Sequence, residues 1–133
     1  MLMFQRAVIA TVLALLLANA PARAQSLQQQ NAAATAFDLS LQRLSEILGA
    51  LHYLRNICGA NEGPKWRDEM AALVAAEAQA TDRKARMTAA FNRGYRGFQQ
   101  NYRTCTPAAD LVIRRYLEEG SKIARDLTAR YAN

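Results

Sequence analysis

Apolar residues recur at steps of three and four along almost the whole chain after residue 36, and this spacing constrains the fold more than any other feature. It is the repeat of one side of an α-helix, whereas a half-buried strand would alternate apolar and polar residues. No segment reads as a strand, and no internal repeat is present. The sequence therefore predicts an all-α fold, an antiparallel bundle of about four helices with short loops.

The turn and cap residues divide this pattern into four helices. Gly59 is suited to the left-handed cap that ends a helix, and Thr106 followed by Pro107 is a typical helix start. Thr81 and Asp82 form an N-cap pair for the third helix. The predicted helices cover approximately residues 36–57, 64–80, 81–105 and 107–131.

The first 24 residues have the pattern of a cleavable signal peptide. A run of 14 apolar residues, 7–20, is shorter than the roughly 20 residues that a membrane-spanning helix needs. Ala22 and Ala24 supply the small-x-small pattern of a cleavage site, which predicts cleavage after Ala24. Residues 25–35 are polar and rich in Gln and Ala, and they form either a flexible leader or a frayed extension of the first helix. The helical domain is then 36–133.

The exported part of the chain carries a modest positive charge. Arg6 and Arg23 belong to the predicted signal, which leaves 15 of the 17 basic residues against 11 acidic ones, a net charge of +4. This charge favours anionic surfaces. Because it is modest and the signal directs the chain out of the cytoplasm, we expect no nucleic-acid partner, and membrane contact only through the signal.

Two cysteines, Cys58 and Cys105, remain after export. An even pair in an oxidising compartment most often forms a disulfide, and no CxxC pattern indicates redox catalysis. Both lie at the ends of odd-numbered helices, which an up-down-up-down bundle places at the same end. The bridge would close a loop of about 48 residues and contribute roughly 4 kcal/mol in the chain-entropy model.

No residue set in the sequence indicates a metal, a cofactor or a catalytic centre. His52 is the only histidine and has no His or Cys partner four residues away, as metal sites usually require. Adjacent carboxylates such as Glu118 and Glu119 point about a hundred degrees apart on a helix, so they do not form an acid–base pair. An enzyme, such as a cell-wall hydrolase, would need carboxylates that converge from different helices.

The most distinctive stretch is 91–105, FNRGYRGFQQNYRTC, which combines four aromatic residues and three arginines around Gly94 and Gly97. Glycine inside a helix costs roughly 1 kcal/mol relative to Ala, so the glycines indicate close approach of a neighbouring backbone, a kink or a ligand. One interpretation is core packing, with the aromatic side chains turned inward. The other is a polar, cationic surface for a carboxylate, sugar or phosphate. The candidate residues are Trp66, Arg67, Asn92, Arg93, Arg96, Gln99, Gln100 and Arg103. Trp66 alternatively packs beneath the loop at the Cys58 end.

The cysteines and this stretch resemble a family of small exported alphaproteobacterial proteins of unknown function, which share two cysteines and an FNxGYRxF motif. The similarity lies in 48–59, Trp66, 91–106, Ala109 and 116–131. The resemblance implies a periplasmic location and a helical, disulfide-linked body. It implies no reaction and no catalytic residue.

These observations favour a non-enzymatic envelope-associated binding protein that contacts peptidoglycan, or an envelope assembly or growth protein, through its basic helix. A homo-oligomerising adaptor or chaperone-like module is the main alternative, because the glycine-bearing helix could pack on a second copy. A cell-wall hydrolase is the remaining alternative.

Overall fold

The computed structural model describes residues 20–131, and in this range the protein is helical and contains no strand. Most of the predicted signal peptide, residues 1–19, lies outside the described residues. The four helices are α1 (Ala20–Ile57), α2 (Lys65–Glu77), α3 (Thr81–Asn101) and α4 (Pro107–Tyr131). Within 20–131, no helix has a stretch that is both long enough and apolar enough to cross a membrane.

Helix α1 begins well before the predicted start near residue 36. The segment 25–35, for which a leader or a frayed helical extension was expected, is helical, and its side chains are exposed. Its Ala and Gln residues have high helix propensity, and no Gly or Pro interrupts them, so the backbone is helical although no apolar stripe is present. The chain divides into two units after Ala36, and the second unit begins at Phe37.

The second unit is built around the C-terminal half of α1. Leu41, Ile47, Leu51 and Leu54 of this helix are at most 2% exposed. At one end, Leu41 belongs to a cluster with Met70 and Met87, against which Leu127 packs. At the other, Leu51 and Leu54 cluster with Ala109 and Ile113, against which Phe98 packs. Since α4 meets the two clusters in the reverse order to α1, and α3 in the same order, α4 runs antiparallel to both. The predicted all-α bundle of four helices is confirmed.

A disulfide joins the end of α1 to the loop between α3 and α4. Cys58 and Cys105 are bonded, with their Cα atoms 4.8 Å apart, as predicted. The predicted extent of the third helix to residue 105 was wrong, because α3 ends at Asn101 and Tyr102 is extended. Beside the bridge, the Tyr53 hydroxyl donates a hydrogen bond to the carbonyl oxygen of Tyr102. Gly59 has a φ of 75°, which confirms the left-handed cap at the end of α1. These links fix the C-terminal end of α3 against the C-terminal end of α1.

Helices α1 and α3 cross with their backbones in contact. A Cβ atom on Gly94 would overlap the carbonyl oxygen of Glu46 and lie 3.1 Å from the amide nitrogen of Ala50. A Cβ atom on Gly49 would likewise overlap the carbonyl oxygen of Phe91. Side chains larger than hydrogen cannot fit at either position. Gly94 therefore serves the close approach of a neighbouring helix of the same chain, whereas Gly97 has open space around it.

This crossing shifts the aromatic residues of α3 from the centre of the contact to its sides. The fully buried residues of α3 are Met87, Ala90 and Gly94. The predicted inward stripe, which is Phe91, Tyr95, Phe98 and Tyr102, is only half-buried. At the point of contact the helices are too close to admit a ring, so the rings pack on the flanks, as in the edge-on contact between Phe98 and Tyr116.

Candidate binding surface on the third helix

Six of the eight candidate residues are exposed on α3 or just after it. With Gly94 turned toward α1, positions 92, 96 and 99 recur at steps of four and three on the opposite side of α3. Arg103 lies in the loop that follows α3, because the helix ends at Asn101 and Tyr102 is extended. The six exposed residues are Asn92, Arg93, Arg96, Gln99, Gln100 and Arg103, and we call them the α3 polar face.

The α3 polar face has no acidic residue of its own helix near it. No Asp or Glu occurs between Asp82 and Asp110 in the sequence. Arg93 is paired across the helix contact with Glu46, at 3.3 Å between Nη2 and Oε2. Among residues 20–131, Arg96 and Arg103 form no ion pair. Their guanidinium groups can therefore each offer several donors to an external carboxylate or phosphate.

An ionic network holds one flank of this face. Arg43 on α1 makes a bidentate pair with Glu119 on α4, with nitrogen–oxygen distances of 2.7 and 2.8 Å. The same guanidinium lies 3.4 Å from Glu46, which also contacts Arg93. The hydrogen bonds from Arg43 lower the pKa of Glu119. Sequence reasoning did not find this network, because its members come from three helices and only Arg43 and Glu46, three residues apart on α1, are related by a helical spacing.

Carboxylates from different helices do come together at two places, and at each place both of them contact the same arginine. Glu46 and Glu119 meet at Arg43, and Asp38 and Asp82 meet at Arg86. The hydrogen bond from Arg86 lowers the pKa of Asp82, as Arg43 does for Glu119. A carboxylic acid that donates a proton near neutral pH needs a raised pKa instead. Asp82 and Glu119 are therefore unsuited to general-acid chemistry.

Trp66 is placed differently from the residues of the α3 polar face. Its ring is half-buried and packs against both core clusters. Its indole nitrogen donates a hydrogen bond of 2.7 Å to Glu62, which also accepts one of 2.9 Å from Arg55. The Arg55 hydrogen bonds lower the pKa of Glu62 to about 2. The contacts of Trp66 are thus those of a residue that packs beneath the loop, and its exposed edge lines a groove between α2 and α4.

Arg67 on α2 and His52 on α1 both lie near Phe91, on the side of α3 that faces α2. Arg67 is exposed and lines a shallow cleft that also includes Phe91. The His52 ring lies 5.6 Å from the ring of Tyr95 and 6.1 Å from that of Phe91. Burial, and secondarily the charge of Arg67, lower the pKa of His52. An imidazole between aromatic rings and beside an arginine is a poor cation ligand. Arg67 can extend the α3 polar face toward α2.

Comparison with known proteins places the chain in a family but gives it no activity. No curated protein and no solved structure matches it. A family model, described as a protein of unknown function (DUF2385), matches residues 36–131. The matched range contains the bundle, both cysteines and the α3 polar face. The chain belongs to the DUF2385 family of proteins of unknown function.

Proposed function

We propose that this protein is a non-enzymatic binding protein of the cell envelope, and that it binds peptidoglycan, or an envelope assembly or growth protein, through the α3 polar face. The observation that carries this proposal is the exposure of Arg96 on α3 and of Arg103 in the loop that follows it, with no ion-pair partner for either in the described part of the chain. Because these two guanidinium groups are exposed and form no ion pair within 20–131, they are available to an anionic partner.

A periplasmic location is part of the proposal. The sequence of residues 1–24 has the features of a signal peptide, and the Cys58–Cys105 disulfide is compatible with an oxidising compartment. The net charge of +4 expected after cleavage favours an anionic partner there.

Peptidoglycan fits the chemistry of the α3 polar face. Its peptide stems carry carboxylates, which match the paired donors of arginine, and its sugars offer hydroxyl and amide groups. Asn92 and Gln99 lie on the same side of α3 as Arg96, and their amides can donate to and accept from such groups. A mixed row of amides and guanidinium groups suits a ligand that is both polar and acidic.

Pelleting with purified sacculi tests the proposal. We expect the protein to co-sediment at low salt, and less at high salt because charge contacts are screened. Replacing Arg96 and Arg103 with Ala should weaken binding at least tenfold, since hydrogen bonds to charged groups contribute about 1.5–3 kcal/mol each. The matched control replaces Arg125 and Arg130, two exposed arginines of α4, with Ala.

The control separates a specific surface from general charge attraction. Both double variants lose the same two charges, so equal weakening would show that net charge alone drives binding. Absence of the unchanged protein from the pellet at low salt would rule out the wall-binding form. Crosslinking in the native envelope would then test the form with a protein partner, using the same two variants.

A further inference from the structure

A shallow cleft of about 520 Å³ lies between α2 and α3. Small, exposed side chains line it on both sides, Ala71 and Ala75 on α2 and Thr88 on α3. Beneath them, Val74 and Phe91 are half-buried and keep part of their apolar surface exposed. Because the side chains on its walls are small, the space between the two helices is unfilled, and the cleft is an apolar strip that a further element can cover.

Each end of the cleft carries a cation. Arg67, near the start of α2, and Lys84, near the start of α3, both line it and are exposed. A short loop joins these helices, so they run in opposite directions and the two cations lie at opposite ends. The charge of Arg67 acts on His52, whose ring is 6.1 Å from that of Phe91, which places Arg67 at the Phe91 end. The lining residues span about 10–12 Å along each helix.

The two cations have no acidic partner within the described part of the chain. No acidic residue lines the cleft, and neither Arg67 nor Lys84 forms an ion pair among residues 20–131. Asp68 follows Arg67 directly, but it points about 100° away around the helix and does not line the cleft. Both cations lie in the first turn of their helices, where the helix dipole favours acidic side chains instead. The stability of the helices therefore does not explain these two positions, whereas an acidic partner would.

We propose that this cleft binds an amphipathic helix of a partner protein, with its apolar side on Val74 and Phe91 and one carboxylate at each of the two cations. Carboxylates at positions i and i+7 of a helix are about 10.5 Å apart, which matches the length of the cleft. Apolar residues at i+3 and i+4 lie between them on the same side, as in other helices that bind in grooves. An amphiphile with a single negative group would leave one cation unpaired. The site does not depend on the function proposed for Arg96 and Arg103.

Fluorescence anisotropy of the full protein with two labelled probe peptides tests the proposal. Both are Ala-rich helices of about 18 residues with leucines at i+3 and i+4. They differ only at i and i+7, which are Glu in one probe and Lys in the other. We expect the Glu probe to bind one site per chain, at least tenfold more tightly than the Lys probe. Arg67→Glu/Lys84→Glu should reverse this preference. The matched control Arg125→Glu/Arg130→Glu makes the same charge change on the exposed surface of α4 and should retain it.

A second pair of variants tests where the probe lies. Ala75→Trp fills the cleft and should weaken binding of the Glu probe at least tenfold. Ala76→Trp, at an exposed position of α2 that does not line the cleft, should leave it unchanged. Urea unfolding of both variants checks that they fold. Pelleting of Ala75→Trp with sacculi should be retained, which separates this test from that of the α3 polar face.

Several outcomes would overturn the proposal. They are the absence of saturable binding up to about 1 mM, equal affinity for the two probes, and equal effects of the two tryptophans. An unchanged preference for the Glu probe in Arg67→Glu/Lys84→Glu would do the same. Binding to phosphatidylglycerol vesicles that excludes the Glu probe and is lost in this variant would also overturn it, because the cleft would then contact a membrane surface.

Discussion

The contact between α1 and α3 predicts opposite effects for the same substitution at two glycines of one helix. In Gly94→Ala the new Cβ would overlap the carbonyl oxygen of Glu46 and lie 2.9 Å from its carbonyl carbon. In Gly97→Ala the new Cβ meets nothing within 4 Å. Both positions are inside α3, so the helix propensity gained from alanine is the same. The difference between the variants therefore reports the helix contact alone.

The expected magnitudes follow from these contacts. Alanine in place of glycine in a helix contributes up to about 1 kcal/mol, and Gly97→Ala should stabilise the protein by roughly that amount. Overpacking costs about 1–3 kcal/mol, and the upper part of this range applies at Gly94 because a backbone carbonyl cannot rotate away. Gly94→Ala should therefore have a net cost of about 2 kcal/mol, after the gain in helix propensity of about 1 kcal/mol.

Urea unfolding followed by circular dichroism measures both effects. The midpoint should fall for Gly94→Ala and rise for Gly97→Ala, with unchanged slopes if both variants unfold in two states. Gly49→Ala should resemble Gly94→Ala, and the Gly49→Ala/Gly94→Ala double variant should cost less than the sum, because one separation of the helices relieves both overlaps. If Gly94→Ala were as stable as the unchanged protein, the close contact between these backbones would be refuted.

Two further predictions concern the end of the bundle that carries the disulfide. Replacing Cys58 and Cys105 with Ala should lower the free energy of unfolding by up to about 4 kcal/mol. A reductant should destabilise the unchanged protein but not this variant. Equal sensitivity of the two proteins to reductant would contradict the prediction. The Glu62 pKa is about 2, below its ordinary 4.5, so the stabilisation from its pairing with Arg55 is complete above pH 4.5 and is lost as the pH falls toward 2. Glu62→Gln should therefore lower the free energy of unfolding at neutral pH by on the order of 1 kcal/mol, since the pair is partly solvated. The variant should also lose less stability than the unchanged protein between pH 5 and pH 2. Urea midpoints measured across that range would show both effects.

Features that depend on local chemistry could be predicted from the sequence. The helical repeat indicated the four helices, and Gly59 indicated the left-handed cap, because these depend on a few neighbouring residues. Thr106 was predicted as the N-cap of α4, and its hydroxyl accepts a hydrogen bond of 3.1 Å from the amide of Ala109. The disulfide followed from an even pair of cysteines in a chain with an export signal, and the alternating helix directions, which bring Cys58 and Cys105 to the same end, supported it.

Other features depend on contacts that no local pattern encodes. The N-cap of α3 is Ala80, without a side-chain hydrogen bond, and the prediction of an N-cap pair at Thr81 and Asp82 was wrong. The reason is tertiary as well as local, because the Asp82 carboxylate pairs with Arg86, which also reaches Asp38 on α1. The sequence likewise left Gly94 open to a ligand, a kink or a second helix. The structure decides between these, because the backbone of α1 packs directly against Gly94. Gly94 therefore serves a contact within the chain, and this removes one reason for expecting homo-oligomers.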